Sequence, residues 1–598
     1  MAGDDRLSAL PDQLLRRLLH FAPAKEAAST RALSRRWRSP LLRSSGAVNL
    51  ETHVERIERL YQSWGEERKS LEATFFARRD AFVSAAQAAL AAADHVTTLT
   101  LRVKFEFGVD GRFLQYGSDG LSSQDQDQSV ITTLLSHPAA RGVQVLRLAV
   151  EGRYDTYYEP KKEIARKVVG EYMLSLGLLP SETLRVLELT NCSSILPPAA
   201  TVVFTRLSSM RLRHCTVRLD ALQSLFDAAP ALAIVHLESV VITIGPRADT
   251  SAPAHCSSGD TSPPPPTEVV LQCPAARVLV LRRCSWRGNA DGKTPVIVAV
   301  EIHAPRLRRF VYTGFLRRFT MRPRPPDLSR ADLHLFWPRV EKTYVYPREK
   351  HRSDEDPHPT LVTFWRFLQD LSSVRELKLR VNNLEDMAVL REARRVELLP
   401  AFSKLERLEL QGVHRPKGKT ASVAIANLLR CSPVLRDLRI NLTTAQHGAI
   451  LKYNRIEGYV ETKFLSDRDK SIDLINRAEP TVVSLEDDGD VNSGEVLDIP
   501  GLSRHSFECL QSSLKRVGLQ FRLEESNCLG VKLIKFFAEN ATVLEEMHID
   551  SGNRKLCEHM NNKLKTWIVS SSKRRKSEAS SFMVLPLESR ELCIERGF

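Results

Sequence analysis

A six-residue pattern of hydrophobic positions, apolar-x-x-apolar-x-apolar, recurs along most of the chain. Its last two apolar positions alternate with a polar residue, which predicts a short strand with one buried face and one polar face. Several intervals between successive starts are 30 or 31 residues, so these strands belong to a repeat. The pattern starts at Val96, Val143, Leu184, Leu207, Leu232, Ala276, Leu307, Val374, Leu405, Leu435, Leu514 and Leu544.

Helical segments precede several of these strands. Residues 219–229 and 423–431 each place apolar side chains on one helical face and end before a proline, Pro230 and Pro433 respectively. The predicted unit is therefore a helix, a proline stop and a strand. An apolar residue stands seven positions before the pattern in five units, at Leu225, Phe367, Leu398, Leu428 and Phe537.

Three residues beyond the pattern stand Cys192, Cys215, Cys284 and Asn382, where a buried side chain can hydrogen-bond the backbone of a turn. We expect these cysteines to be structural. With this periodicity the chain resembles the leucine-rich-repeat solenoids. The resemblance implies an α/β fold in which an irregular solenoid forms a curved, mostly parallel sheet with helices on its convex side.

The repeat array is expected to span residues 95–500, after a helical linker at 52–94 and before a carboxyl-terminal tail at 553–598. Irregular spacing indicates insertions, and segments rich in Pro, Ser, Gly or acidic residues are expected to be disordered. These insertions lie near residues 117–129, 245–268, 350–359 and 485–495.

The stretch LPDQLLRRLLHFAP, residues 10–23, carries a wide leucine stripe. A helix of about a dozen residues is marginal in water, so its stripe must be buried in the protein's own core or against a partner. The sequence leaves both alternatives open for each leucine. A later helical segment places Leu33 and Trp37 four residues apart, with a basic run between them.

Residues 7–43, with the Leu-Pro start and the run LSRRWR, resemble the F-box of plant F-box proteins. The departures are Gln13 where Glu is usual, Ala22 where Leu is usual, and Pro40-Leu41 where relatives often end in Leu-Trp. The resemblance implies a three-helix module that binds a Skp-family adaptor. The matching positions are Leu10, Pro11, Leu14, Leu15, Leu18, Leu19, Leu33 and Trp37.

Residues 501–552 resemble the FBD region found at the carboxyl end of many plant F-box and leucine-rich-repeat proteins. This order of regions implies a noncatalytic substrate-recognition subunit of an SCF-type cullin-RING E3 ubiquitin ligase. The F-box would bind the Skp-family adaptor, and through it the cullin and RING subunits. The repeats would bind an unknown protein target.

Charge and motif content keep one alternative open. The net charge is +14, and the basic residues are scattered along the sequence, so we expect most of them to be solvated. A scaffold without ubiquitin transfer, or a basic solenoid that binds an acidic ligand or nucleic acid, is the alternative function; a nucleic-acid partner is the less favoured of these.

The motifs and the cysteine spacing of the sequence predict no catalytic, cofactor or metal site. The sequence has neither a G-x-S-x-G nor an H-E-x-x-H motif. Ten cysteines form no C-x-x-C pair, which argues against zinc and against a disulfide framework. No apolar run is long enough to span a membrane. We expect a protein of the nucleus, the cytoplasm or both.

Overall fold

A computed structural model describes residues 10–30, 46–54, 65–106, 111–114, 129–152, 172–198, 202–244, 268–288, 299–336, 359–414, 419–444, 499, 502, 506–521, 529–550 and 583–586. The chain divides into two compact units. Unit 1 comprises Met1–Thr313 and Phe319–Pro325. Unit 2 comprises Gly314–Arg318 and Pro326–Phe598.

Unit 1 is built mainly from short strands. Its helices are α1 (Asp12–Phe21), α2 (Ala24–Ser29), α3 (Gly65–Ala91), α4 (Val130–Leu135) and α5 (Leu219–Ala228), with 3-10 turns at Gly111–Phe113, Pro138–Gly142 and Leu176–Leu178. Its strands are β1 (Ala47–Val54), β2 (Thr98–Phe105), β3 (Val145–Gly152), β4 (Tyr172–Ser175), β5 (Val186–Thr190), β6 (Cys192–Leu196), β7 (Ser209–Arg213), β8 (Thr216–Arg218), β9 (Ile234–Glu238), β10 (Val241–Ile244), β11 (Glu268–Gln272), β12 (Val278–Arg282), β13 (Ser285–Gly288), β14 (Ala299–His303), β15 (Arg309–Phe315, which ends in unit 2) and β16 (Phe319–Met321).

The main sheet of unit 1 is parallel, in the order β1-β2-β3-β5-β7-β9-β12-β15. Its strands follow each other in sequence order, which is the arrangement expected of an α/β solenoid. Three smaller parallel sheets lie beside it, in the orders β13-β10-β8, β11-β14-β16 and β4-β6. In several repeats of this unit the segment between main strands is therefore another strand, where a helix was expected.

Unit 2 alternates helices and strands more regularly. Its helices are α6 (Pro359–Asp370), α7 (Glu392–Leu398), α8 (Lys419–Cys431), α9 (Glu508–Ser512) and α10 (Leu529–Asn540), with a 3-10 turn at Leu384–Met387. Its strands are β17 (Arg330–Phe336), β18 (Glu376–Val381), β19 (Arg407–His414), β20 (Asp437–Thr444), β21 (Arg516–Gln520), β22 (Glu546–Asp550) and β23 (Met583–Pro586). They form a parallel sheet in sequence order.

The hydrophobic pattern marks the core as predicted. All twelve residues at the start of the pattern are buried, and so are the two later apolar positions of every copy. The predicted helices are also present, and the five apolar residues seven positions before the pattern are buried. Each strand therefore buries one face, and each helix closes the core from the other side.

The cysteines beyond the strands are structural, as predicted. Cys192, Cys215 and Cys284 are buried, and their thiols donate to backbone carbonyls: Cys215 Sγ lies 3.6 Å from Leu189 O and Cys284 Sγ lies 3.4 Å from Leu237 O. The residue before each of these cysteines has a left-handed backbone, with φ of 59°, 51° and 53°. The thiol thus satisfies a carbonyl at a sharp turn.

Several expected boundaries differ from the structure. Strand β1 (Ala47–Val54) runs into the start of the region expected to be a helical linker, residues 52–94. Within that region α3 is helical over Gly65–Ala91. Strand β23 lies in the region expected to be a tail and pairs with β22. Asn382 is only half-buried, so it does not repeat the cysteine arrangement.

The expected disordered insertions fall almost entirely outside the described residues. Only their ends are described: Ser129 caps α4, while residues 268 and 359 begin β11 and α6. At these three positions the structure is ordered, which shortens the predicted insertions.

Candidate functional site

Helix α1 begins at the Leu-Pro pair near the start of the chain. Pro11 occupies the N-cap position, where its missing N–H costs no helical hydrogen bond, and its carbonyl accepts from the amides of Leu14 and Leu15 at 3.0 and 3.1 Å. The helix ends at Phe21, before Pro23 starts the next turn. The two prolines therefore set both ends of this short helix.

One side of α1 is packed inward. Leu15 and Leu19 form a small buried cluster with Ala27 of α2, and Leu10 and Ala22 pack against it partly buried. This cluster holds the two helices together. Fully burying a leucine stabilises a structure by about 1.5–3 kcal/mol, so two leucines supply most of what this small cluster can contribute.

A polar contact ties this helical pair to the sheet of unit 1. The Asn49 side chain in β1 donates two hydrogen bonds from Nδ2, at 2.7 Å to the carbonyl of His20 and at 3.1 Å to the carbonyl of Ala22. These carbonyls lie at the end of α1, where helical partners are missing. The orientation of α1 is thereby fixed against β1.

The other side of α1 is an uncovered apolar surface. Leu14 is 45% exposed, Leu18 is 48% exposed and Phe21 is 71% exposed. Their spacing of four and three residues places them on one face of the helix. We call these three residues the exposed apolar face of α1.

The predicted adaptor-binding residues thus separate into two groups. Leu14 and Leu18 face outward with Pro11, which is exposed, whereas Leu15 and Leu19 are buried and Leu10 is half-buried. Leu33 and Trp37, and with them the expected third helix, lie outside the described residues. Sequence reasoning missed Phe21 and Asn49; the position of Phe21, seven after Leu14, was the available signal for Phe21.

The polar face of the unit 1 sheet carries a concentration of arginines around Glu238. This carboxylate accepts from Arg213 Nε at 3.0 Å and from Arg283 Nη2 at 3.2 Å, and Arg211 Nη2 lies 3.7 Å away. Burial would raise the pKa of Glu238, but the three positive charges outweigh it and lower the pKa. Glu238 is therefore a charged anchor for three guanidinium groups.

The polar face of the unit 2 sheet is arranged differently. Its charges alternate from strand to strand in one register row, and the neighbours from Arg330 to Arg516 form ion pairs at 3.3–3.7 Å. Asp437 at the centre is buried between two arginines of this row. The row consists of Arg330, Glu376, Arg407, Asp437, Arg516 and Glu546.

The described residues contain no group of His, Cys, Asp and Glu side chains that could hold a metal ion. Burial raises the pKa of Cys273 and of Cys509 to about 12, and that of Cys431 still further, which keeps these thiols protonated and unreactive. None of the described helices is both long enough and apolar enough to cross a bilayer.

Two repeats near the end of unit 2 pack through aromatic side chains. Helix α10 approaches Phe521, which follows β21, so closely that a Cβ on Gly530 would lie 2.3 Å from the Phe521 ring. Phe507 and Phe536 meet edge to face at 6.1 Å. Glycine is therefore required at position 530 for the helix to reach the strand.

A family comparison identifies this same region. Residues 503–549, which contain α9, β21, α10 and most of β22, match the model of the FBD family. No curated protein matches the chain. The FBD family is associated with F-box proteins, so residues 503–549 form an F-box-associated FBD region.

Proposed function

We propose that this protein is the noncatalytic substrate-recognition subunit of an SCF-type cullin-RING E3 ubiquitin ligase. In this proposal α1 belongs to an F-box that binds a Skp-family adaptor, and the adaptor connects it to the cullin and RING subunits. The sheets, as leucine-rich repeats of the plant F-box type, bind the protein that is ubiquitinated. The chemistry belongs to the partners, and the receptor acts by raising the local concentration of target lysines.

The exposed apolar face of α1 is the observation that carries this proposal. Water contact with two half-exposed leucines and a mostly exposed phenylalanine is unfavourable, and burying these surfaces in an interface would yield about 3–4 kcal/mol. The inner leucines already hold the helix to α2, so the outer ones are available to a partner. The FBD region supports the same assignment, because it is associated with F-box proteins.

Capture of a Skp-family adaptor by the full chain tests the proposal. The variant Leu14→Asp/Leu18→Asp places two charges in the exposed apolar face and should abolish copurification. Gln13→Asp/Arg17→Asp is the matched control, because it puts the same residues at the same spacing on the same helix at exposed polar positions. This control should copurify like the unchanged chain.

Circular dichroism of both variants should match that of the unchanged chain, because none of the four substituted positions is buried. Equal adaptor capture by Leu14→Asp/Leu18→Asp and by its control would contradict the proposal. So would failure of the unchanged chain to capture any adaptor, and that result would favour a scaffold without ubiquitin transfer.

A further inference from the structure

The arginines on the polar face of unit 1 exceed the carboxylates that face them. We define the arginine cluster as Arg211, Arg213, Arg282, Arg283 and Arg309. In the main sheet, β7, β9, β12 and β15 are consecutive neighbours, and they carry four of these residues around Glu238 and His236. Three members share the single carboxylate of Glu238.

Two members of the cluster make no ion pair within the described part of the chain. Arg282 stands beside Glu238 in the register, and Arg309 is on the neighbouring strand β15. The Nε atoms of Arg211 and Arg309 are buried without a hydrogen-bond partner. A buried donor without a partner is unfavourable, so these guanidinium groups are not fully satisfied by the protein around them.

The behaviour of His236 agrees with an excess of positive charge. Burial lowers the pKa of His236, and the neighbouring Arg211, Arg282 and Arg309 lower it further. Unit 2 offers the contrast, because its central row alternates acidic and basic residues that pair with one another. The excess is therefore a local property of unit 1 and does not follow from the repeat itself.

The size of the cluster limits what can bind it. Three strand spacings separate β7 from β15, which is about 14 Å. An extended peptide covers this distance with about four or five residues. Single-stranded nucleic acid would need aromatic side chains for base stacking, and within unit 1 the polar-face positions described on these strands carry Arg, His, Glu, Ile, Val, Thr and Ser.

We propose that the arginine cluster binds a short acidic segment of a target polypeptide. Carboxylates of the segment accept hydrogen bonds from the guanidinium groups of Arg282 and Arg309, in competition with Glu238 for the other guanidinium groups. This inference names the class of target, and it therefore rests on the proposed function.

Fluorescence anisotropy with the full chain and a fluorescein-labelled peptide of five glutamates tests the inference. Arg282→Gln/Arg309→Gln should weaken binding about tenfold or more, because two charge-assisted contacts are lost. Arg206→Gln/Arg277→Gln removes the same charge from two exposed arginines of unit 1 outside the cluster, and should change affinity less than about twofold. The matching peptide of five glutamines should not bind.

A variant that is expected to gain affinity for the glutamate peptide controls for misfolding, because a misfolded protein would lose affinity. Glu238→Gln removes the competing carboxylate and should strengthen binding of the glutamate peptide about threefold. Equal weakening by the cluster variant and its control would overturn the inference, as would no binding by the unchanged chain. Tighter binding of a labelled oligothymidylate, equally sensitive to Arg282→Gln/Arg309→Gln, would overturn it in favour of nucleic acid.

The proposal of adaptor binding by α1 and the proposal of acidic-segment binding by the arginine cluster can be refuted independently of each other. Arg282→Gln/Arg309→Gln should capture the Skp-family adaptor normally, because α1 is unchanged. Leu14→Asp/Leu18→Asp should bind the glutamate peptide normally, because the arginine cluster is unchanged. Loss of adaptor capture alone would therefore remove the ligase assignment while the acidic-segment site remained.

Discussion

Glu238→Gln is expected to destabilise unit 1 far more than the same substitution at Glu188. Glu238 has three arginine partners and a side chain that is only 19% exposed. Among the described residues, Glu188 on the same polar face pairs with Arg147 alone, at 3.2 Å, and both side chains are more than a third exposed. The two substitutions are chemically identical, so any difference reports the surroundings.

The expected magnitude follows from the bonds of Glu238. A hydrogen bond to a charged group contributes about 1.5–3 kcal/mol and a neutral one about 0.5–1.5 kcal/mol, so each of the two bonds from Arg213 and Arg283 loses about 1 kcal/mol. The three guanidinium groups then also repel one another without a counter-charge. The total loss is about 2–3 kcal/mol, whereas the exposed Glu188 pair contributes less than about 1 kcal/mol.

Amide hydrogen exchange followed by mass spectrometry measures the loss of stability in the strands around position 238. Peptides that cover β7 and β9 should exchange about 30- to 150-fold faster in Glu238→Gln, and peptides from β18 and β19 in unit 2 should be unaffected. Glu188→Gln should accelerate exchange by less than about fivefold. Equal acceleration by both substitutions would refute the argument that Glu238 anchors the arginines.

Three further outcomes are expected. The pKa of Glu238 is lowered on folding, so the stability that its carboxylate contributes is complete above the ordinary glutamate pKa of about 4.3 and is lost as pH falls through the lowered value. Acid unfolding of unit 1 should therefore be less steep in Glu238→Gln. Gly530→Ala should destabilise the FBD region by about 1–3 kcal/mol in urea unfolding, because its Cβ would clash with Phe521. Gly177→Ala is the control and should not destabilise the protein in this way, because its Cβ would lie 3.7 Å from its nearest neighbour. Asn49→Ala should weaken the attachment of α1 by about 1–3 kcal/mol, seen as faster amide exchange in α1 with β2 and β3 unchanged.

The core could be predicted from the sequence because each repeat carries its own local pattern. The residue that starts a repeat is buried whether a helix or a strand precedes it, as Leu232 after α5 and Ala276 after β11 show. The cysteines were predictable for the same reason. Strand β1 was missed because the repeated pattern does not cover it, and β23 because it is a short strand in a region expected to be a tail.

The candidate site was predictable only in part. The leucine stripe of α1 was visible, but which leucines face outward depends on where α2 and β1 pack, and this assigned Leu14 and Leu18 to the surface. The arginines are scattered along the sequence, but the strand order brings several of them together on the polar face of unit 1. Arg211 and Arg309 are 98 residues apart in sequence, and only the strand order brings them near His236.

The alternating charge row of unit 2 has a consequence for how this array can change in length. Loss of one internal repeat would bring two like charges into adjacent register, for example Arg330 beside Arg407 if β18 were deleted. Loss of two adjacent repeats would keep every acid beside a base. Shortened forms of this unit are therefore expected to tolerate removal of an even number of consecutive internal repeats better than removal of an odd number.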